Sequence, residues 1–278
     1  MAPKHWELRN HLRNQRTLFF VCLIFLAGFL LLAMSKNSFI IIDSQTNSWA
    51  MSIQTGWFTT IAVVIAYIFD TTSLTVISLM FAVYLFYRNY GKYSVLLLAA
   101  MAGDALIVST AKTMFHSARP LNGLVYNTGF SFPSGHTTAS IVFCGLLTYL
   151  TWQHWKSPKA KTASIAISIT IISIVAFDRI YLNVHWFSDV LGGCLLGLFW
   201  LALTLWVFRA VENNQEISKS PDSRTFHSLF LNASSMLSTW ISVLTFVMPA
   251  LIENFKTAFQ YSSLHYKYLV ARANAHAH

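Results

Sequence analysis

Six residues separate Lys112 from Arg119, which is followed by Pro120. The stretch Pro133-Ser134-Gly135-His136 comes next. Arg179 then precedes His185 by a gap of five residues, and His185 precedes Asp189 by a gap of three. Two histidines, three cations and one carboxylate thus fall within about 80 residues of a mostly apolar chain. Ionisable groups in apolar surroundings are costly to keep there, which makes them candidates for function.

The chemistry that fits these residue types is phosphate-ester cleavage. The ester's charge sits on oxygens that must be held and neutralised as the bond to the leaving group breaks, which calls for cations and backbone N–H donors. Lys112, Arg119 and Arg179 supply the charge, and arginine's planar fork suits two phosphate oxygens at once. Ser134 and Gly135 open a helix, whose N-terminal N–H groups are a natural anion site. Gly135 also lets the backbone come close to a ligand. His185 and Asp189 are four positions apart, so at the start of a helix they share a face. A carboxylate bonded to one ring nitrogen fixes the tautomer and leaves the other nitrogen free to attack phosphorus. The expected intermediate is a phosphohistidine, with His136 protonating the leaving alkoxide and then activating water. No part of this scheme needs a metal or another cofactor. Any one of these residues alone reads as an interfacial histidine, a snorkelling anchor or a turn glycine. The functional reading rests on their meeting on one side, at three separate helix ends.

Those residues need elements to carry them. The chain has 278 residues, 55% hydrophobic and only 10% charged, against about 25% charged in a soluble domain. That balance predicts a membrane protein. The net charge of +9 is spread over short gaps between apolar runs rather than gathered in a basic stripe, which argues against a nucleic-acid partner. Cys22, Cys144 and Cys194 lie inside apolar runs with no metal-ligand spacing, and read as small buried hydrophobes.

A polar, basic segment at 1–16 leads into an apolar run at 17–34, long enough to span and lacking a convincing signal-peptide cleavage site, so it reads as an uncleaved first span. Residues 37–56 are mixed and polar. A short apolar segment at 57–69 joins a return crossing at 73–87 near Asp70. Further spans are expected at 93–114, 136–155, 162–182 and 186–208. The predicted fold is all-α: a polytopic membrane protein with about six transmembrane helices in a bundle, plus an amphipathic C-terminal helix. The phosphatase domain is placed at 1–212, followed at 213–278 by a linker and tail. Within that tail, 228–255 has apolar residues at helical spacing and reads as a surface-lying helix rather than a seventh span.

Lysine and arginine placement sets orientation. With the N-terminus inside, one side receives Lys4, Arg9, Arg13, Arg16, Arg88, Lys92, Lys156, Lys159, Lys161, Arg209, Lys219 and Arg224. The other receives Lys36, Lys112, Arg119 and Arg179, and three of those four belong to the motifs. The chemistry is therefore expected on the outer face. Asp104 is an intramembrane carboxylate two turns before Lys112, about 80° away around the helix, which disfavours a direct pair. His116 is a candidate substrate contact, and Tyr181 and Trp186 read as interface aromatics.

The three stretches resemble the signature of the type 2 phosphatidic acid phosphatase superfamily, over roughly 57–208. The resemblance implies a six-helix membrane core with its site at the non-cytoplasmic face. It implies His185 as nucleophile, Asp189 as its partner and His136 as the acid, with Lys112, Arg119, Ser134, Gly135 and Arg179 binding phosphate. One position departs: the family's third stretch commonly opens with Ser before the Arg, and here Asp178 stands there. That carboxylate turns away from phosphate, pairs with a cation, or lowers phosphate affinity. The expected partner is a lipid phosphate in the bilayer: an isoprenyl diphosphate by slight preference, phosphatidylglycerophosphate, phosphatidate or a phosphorylated lipid A. The nearest rival is a lipid phosphotransferase using the same intermediate, and a further one is a membrane binding or transport protein with an idle site. Short loops suit a bacterial inner membrane. The sequence carries no signal of oligomeric state.

Overall fold

A computed structural model describes residues 5–217 apart from residue 126. The expected surface helix at 228–255 and the rest of the tail beyond residue 217 lie outside the described residues. Among the described residues the chain forms eight α-helices and one 3₁₀ turn, with no strand. In order they are α1 (His5–Met34), the 3₁₀ turn (Lys36–Phe39), α2 (Ile40–Ser52), α3 (Gly56–Ile68), α4 (Thr71–Tyr87), α5 (Gly91–Phe115), α6 (Gly135–His154), α7 (Pro158–Tyr181) and α8 (Phe187–Ile217). The protein is an all-α, integral membrane protein.

The apolar runs became helices close to where expected, with two differences. The segment read as merely polar, 37–56, is helical over most of its length as the 3₁₀ turn and α2. The last helix does not stop at Phe208 but runs to Ile217. Its extra turns carry Glu212, which pairs with Lys92 at the start of α5.

The count of six spans is not reached on length and apolarity. Among the described residues four helices qualify, α1, α5, α7 and α8, and α3 with α4 makes a fifth as a pair bent by 49°. Helix α6 falls short because it is not a lipid-facing helix. It packs against α5, α7 and α8 and buries Thr137, Thr138 and Ser140. A helix surrounded by protein can carry such residues where one facing lipid pays a desolvation cost. Helix α7 shows the opposite pattern, with Ile165, Ile167, Ile169 and Ile174 exposed.

Small residues let these helices close on one another. A Cβ added at Gly193 on α8 would lie 2.7 Å from the Ser134 carbonyl oxygen, and one at Gly197 would lie 3.1 Å from the Thr138 carbonyl. The two glycines are four apart, the spacing at which helix backbones approach closely in membranes. They seat the start of α6 against the start of α8, which brings the second and third motifs together. At Gly103 a Cβ would overlap the Trp200 ring at 2.1 Å, and that indole donates to the Ala100 carbonyl at 2.8 Å. This slot joins α5 to α8. Gly193→Ala is therefore expected to cost about 1–3 kcal/mol by overpacking, read as a lower midpoint of thermal unfolding in detergent. Gly56→Ala is the control, since a Cβ there meets nothing within 4 Å. Equal midpoints for the two variants would rule out this account of the α6–α8 contact.

Candidate active site

The motif residues gather at one end of the bundle, where α5 and α7 finish and α6 and α8 begin. The basic turns at Arg88–Lys92 and Lys156–Lys161 lie at the opposite ends of the same helices.

His185 is not on α8 as expected. It sits in the turn between α7 and α8, two residues before the helix starts. Asp189, in the first turn of α8, reaches back to it. Asp189 Oδ2 accepts the backbone N–H of Trp186 at 2.9 Å and faces His185 Nδ1 at 3.4 Å. Both side chains are almost wholly buried. On the other side of the ring, Arg119 Nη1 lies 3.3 Å from His185 Nε2. A guanidinium only donates, so this contact requires the lone pair on Nε2 and places the ring proton on Nδ1, facing Asp189. That is the tautomer an attacking imidazole needs. Burial pushes the His185 pKa down to about 4, against the opposing pull of Asp189, so the ring is neutral at pH 7.

The two cations of the first motif are occupied by loop carbonyls. Lys112 Nζ donates to Phe130 at 2.7 Å. Arg119 donates to Gly129 through Nε at 3.1 Å and to Val184 through Nη1 at 2.8 Å. Arg119 therefore ties the α5–α6 loop to the residue preceding His185. The Phe132–Pro133 peptide that ends this loop is cis.

At the start of α6, the Ser134 N–H donates to the Asp189 carbonyl at 3.0 Å. It is thus not one of the N–H groups free for an anion, as the sequence reading supposed. The groups that a helix start leaves without an intrahelical partner here are those of Gly135, His136 and Thr137. A Cβ on Gly135 would meet only Val108 at 3.4 Å and Lys112 Cε at 4.0 Å. Packing alone does not demand glycine there, so the space adjoins the lysine. Arg179, His185, Lys112 and Arg119 are the groups whose charge acts most on His136, which brings the motif cations and both histidines into one site.

Arg179 is buried, and Asp178 is its partner: Nε donates to Asp178 Oδ2 at 3.0 Å, and Nη2 contacts the same oxygen. Of the outcomes foreseen for Asp178, pairing with a cation is the one observed. Its Oδ1 is buried without a partner. Asp104 is also buried with Oδ1 unpartnered among the described residues, and makes no pair with Lys112. Tyr181 is not an interface aromatic. It is fully buried, and its hydroxyl accepts from the Thr55 N–H at 3.0 Å, fastening α3 to α7. Trp186 donates its indole N–H to Ala118. His116 caps α5 in a left-handed conformation, φ 45°, with its ring on Phe130.

Three carboxylates and cations outside the motifs also reach this end. Lys36 bonds Asp189 Oδ1 at 2.5 Å. Asp43 accepts from the Ser188 N–H at 2.8 Å and its hydroxyl at 2.7 Å. Asp70, the N-cap of α4 at the α3–α4 bend, places Oδ1 3.5 Å from His136 Nε2. The sequence reading used Lys36 only to set orientation and Asp70 only to mark a bend, and it did not name Asp43. The signal available was that each is an ionisable group in or beside an apolar run.

Residues 93–213 match the family model described as the PAP2 superfamily. The chain is 28% identical over 158 residues to phosphatidylglycerophosphatase B of Bacillus subtilis, covering 56% of this chain and 78% of that one. It is 32% identical over 120 residues to lipid A 1-phosphatase of Porphyromonas gingivalis, covering 43% of this chain and 25% of that one. Among solved structures it resembles the transmembrane PAP2-type phosphatidylglycerolphosphate phosphatase from Bacillus subtilis. That likeness has a TM-score of 0.61 and 26% identity, over 73% of this chain and 99% of that one.

Proposed function

This chain belongs to the PAP2 superfamily, and from that premise we propose that it cleaves phosphate from a membrane lipid through a phosphohistidine on His185. The enzyme is an integral membrane lipid phosphatase. The observation that carries the mechanism is the His185 ring held between two partners, Asp189 Oδ2 at 3.4 Å from Nδ1 and Arg119 Nη1 at 3.3 Å from Nε2.

In the first step Nε2 attacks phosphorus and the bond from phosphorus to the leaving oxygen breaks. His136, held neutral in the empty site by burial and by the surrounding cations, which lower its pKa, takes up a proton as the negatively charged phosphate enters and gives it to that oxygen. The imidazolium that forms is stabilised by Asp189, and the developing charge on the phosphoryl oxygens meets Arg119, Lys112, Arg179 and the N–H groups at the start of α6. For the phosphate to dock, Arg119 and Lys112 exchange carbonyl partners for phosphate oxygens, a stronger charge-assisted contact. In the second step water attacks phosphorus, His136 takes its proton, and the P–N bond breaks to release inorganic phosphate.

Similarity to phosphatidylglycerophosphatase B of Bacillus subtilis and to the solved phosphatidylglycerolphosphate phosphatase from the same organism favours a glycerophospholipid monophosphate as first substrate over the isoprenyl diphosphate preferred on sequence alone. The lysine and arginine asymmetry supports a site on the outer, non-cytoplasmic face, with the N-terminus in the cytoplasm of a bacterial inner membrane.

The test is phosphate release by the full chain in detergent. The panel holds phosphatidylglycerophosphate, phosphatidate, undecaprenyl diphosphate and lipid A 1-phosphate, each with and without EDTA. Release from at least one lipid, with phosphatidylglycerophosphate preferred, is expected. Phosphate recovered on a second lipid would establish the phosphotransferase instead, and no turnover of any lipid would overturn the proposal.

A further inference from the structure

We propose that Lys36, which belongs to none of the three motifs, is the positioning residue that aims the Asp189 carboxylate at His185. This rests on the reading of His185 as nucleophile.

Asp189 divides its two oxygens between two tasks. Oδ2 accepts the Trp186 N–H and faces the histidine. Oδ1 accepts from Lys36 Nζ at 2.5 Å. Turning the carboxylate about its Cβ–Cγ bond breaks the lysine contact, so the ion pair sets the angle at which Oδ2 meets Nδ1. The ammonium is itself fixed from two sides. It donates to Ser117 Oγ and stands 4.6 Å from the centre of the Phe132 ring. Both residues come from the segment joining α5 to α6, so Lys36 is located by the same loop that carries the phosphate-binding residues.

The pair also answers an electrostatic need. The Asp189 side chain is 0% exposed, and a buried carboxylate lacking a counter-ion is severely penalised. His185 is neutral in the resting site and cannot serve as that counter-ion, whereas lysine can. Seven residues on, Asp43 holds the backbone and hydroxyl of Ser188, next to Asp189 in sequence. The segment from the 3₁₀ turn into α2 thus grips both the carboxylate and the helix turn that bears it.

The groups whose charge acts on the His185–Asp189 pair are Lys36 and Asp43 from this segment, Lys112 from α5, Arg119 from the loop and His136 from α6, and Arg179 from α7 acts on Arg119 and His136 behind them. Removing Lys36 deletes one cation and leaves the charge of Asp189 to act in full on the imidazole. A nearby negative charge favours the protonated ring, so the pKa of His185 moves up. The acid limb of kcat/KM, which reports the free enzyme, then moves to higher pH from its wild-type position near the His185 value of about 4.

The experiment compares Lys36→Met, which keeps the stem and removes the charge, with Lys36→Arg, which keeps the charge. In Lys36→Met, kcat is expected to fall about 10- to 100-fold, a loss like that seen when a group orienting a metal-bound histidine is removed. KM stays within about threefold, as for an interaction that acts in the transition state. The acid limb moves up, and Lys36→Arg recovers part of kcat with the acid limb returned. Wild-type kcat with an unmoved limb in Lys36→Met overturns the proposal. So does a loss confined to KM, which would make Lys36 a phosphate ligand. A loss that neither shifts the limb nor responds to arginine would make it a packing residue and overturn the proposal too. A wild-type protein that releases no phosphate counts against the phosphatase reading alone. In that case an NMR titration of ¹⁵N-histidine in the detergent-solubilised full chain still decides: His185 titrates at higher pH in Lys36→Met than in wild type, or the proposal fails.

Discussion

Replacing His185 with alanine is expected to abolish lipid phosphate release, by a factor on the order of 10⁴ or more. The loss follows from the proposed covalent step. Without Nε2 there is no nucleophile, and the water that attacks in the second half-reaction has no phosphohistidine to attack. The anion site survives, because Lys112, Arg119, Arg179 and the start of α6 are anchored to groups other than the imidazole. Orthovanadate or inorganic phosphate should therefore still bind the variant within a few-fold of wild type. Two further readouts separate this from a collapsed site. Wild type quenched in alkali during turnover of labelled lipid carries label on protein, as a histidine nucleophile requires, and His185→Ala carries none. Free imidazole restores part of the activity by entering the space beside Arg119. Retention of a tenth of wild-type activity by His185→Ala would mean that water attacks phosphorus directly, with His136 as base, and the covalent route would be abandoned.

The helices were legible because a bilayer imposes length and apolarity on whatever faces it. Helix α7 could be read to within a few residues, since its isoleucines face outward and have no alternative to lipid. Helix α2 was missed for the complementary reason. Its hydrophobic and polar residues do not sort into a lipid face and a core face, so no helical period stood out. Helix α6 was read as a span at 136–155, but what was not legible was that α4, α5, α7 and α8 shelter it, which lets it carry threonines and serines. Contacts made far along the chain decide that, and no local pattern carries them.

The motif residues were legible because their chemistry restricts residue type and spacing together. The partners of those residues were not. Lys36 is 153 positions from Asp189, and Asp43 is 145 from Ser188, so neither pairing leaves a trace in local spacing. Lys36 was counted as an outer-face cation, which located its side of the membrane and missed its task. The i, i+4 reading of His185 and Asp189 reached the right contact by the wrong geometry. The carboxylate meets the ring by capping back over the start of α8, as helix N-terminal acidic residues do when they accept a free N–H, and not by lying beside it on a helix face.

That geometry makes Asp189→Asn the sharper test of tautomer control. Asparagine is nearly the same shape, so its oxygen can still accept the Trp186 N–H and hold the first turn of α8. Two things change. The side chain now offers an NH₂ as well as an oxygen, and if the NH₂ faces Nδ1 the ring proton moves to Nε2. Arg119 would then point a donor at a donor, and the attacking lone pair would be gone. The neutral amide also cannot stabilise the imidazolium that forms as Nε2 bonds to phosphorus. In the well-studied histidine–aspartate pair of serine proteases the same change lowers kcat about 10⁴-fold, and a loss of about 10³- to 10⁴-fold in kcat is expected here, with KM little altered. The sign of the pH effect separates this variant from Lys36→Met. Asp189 raises the pKa of His185, so removing its charge lowers that pKa, and the acid limb of kcat/KM stays at or below its wild-type position. Raising the pH therefore rescues nothing, because the variant fails from a misplaced proton and not from an excess of protons. A variant that regains activity at higher pH, or one that keeps kcat within tenfold of wild type, would show that Asp189 neither sets the tautomer nor stabilises the imidazolium, leaving it the structural role of capping α8.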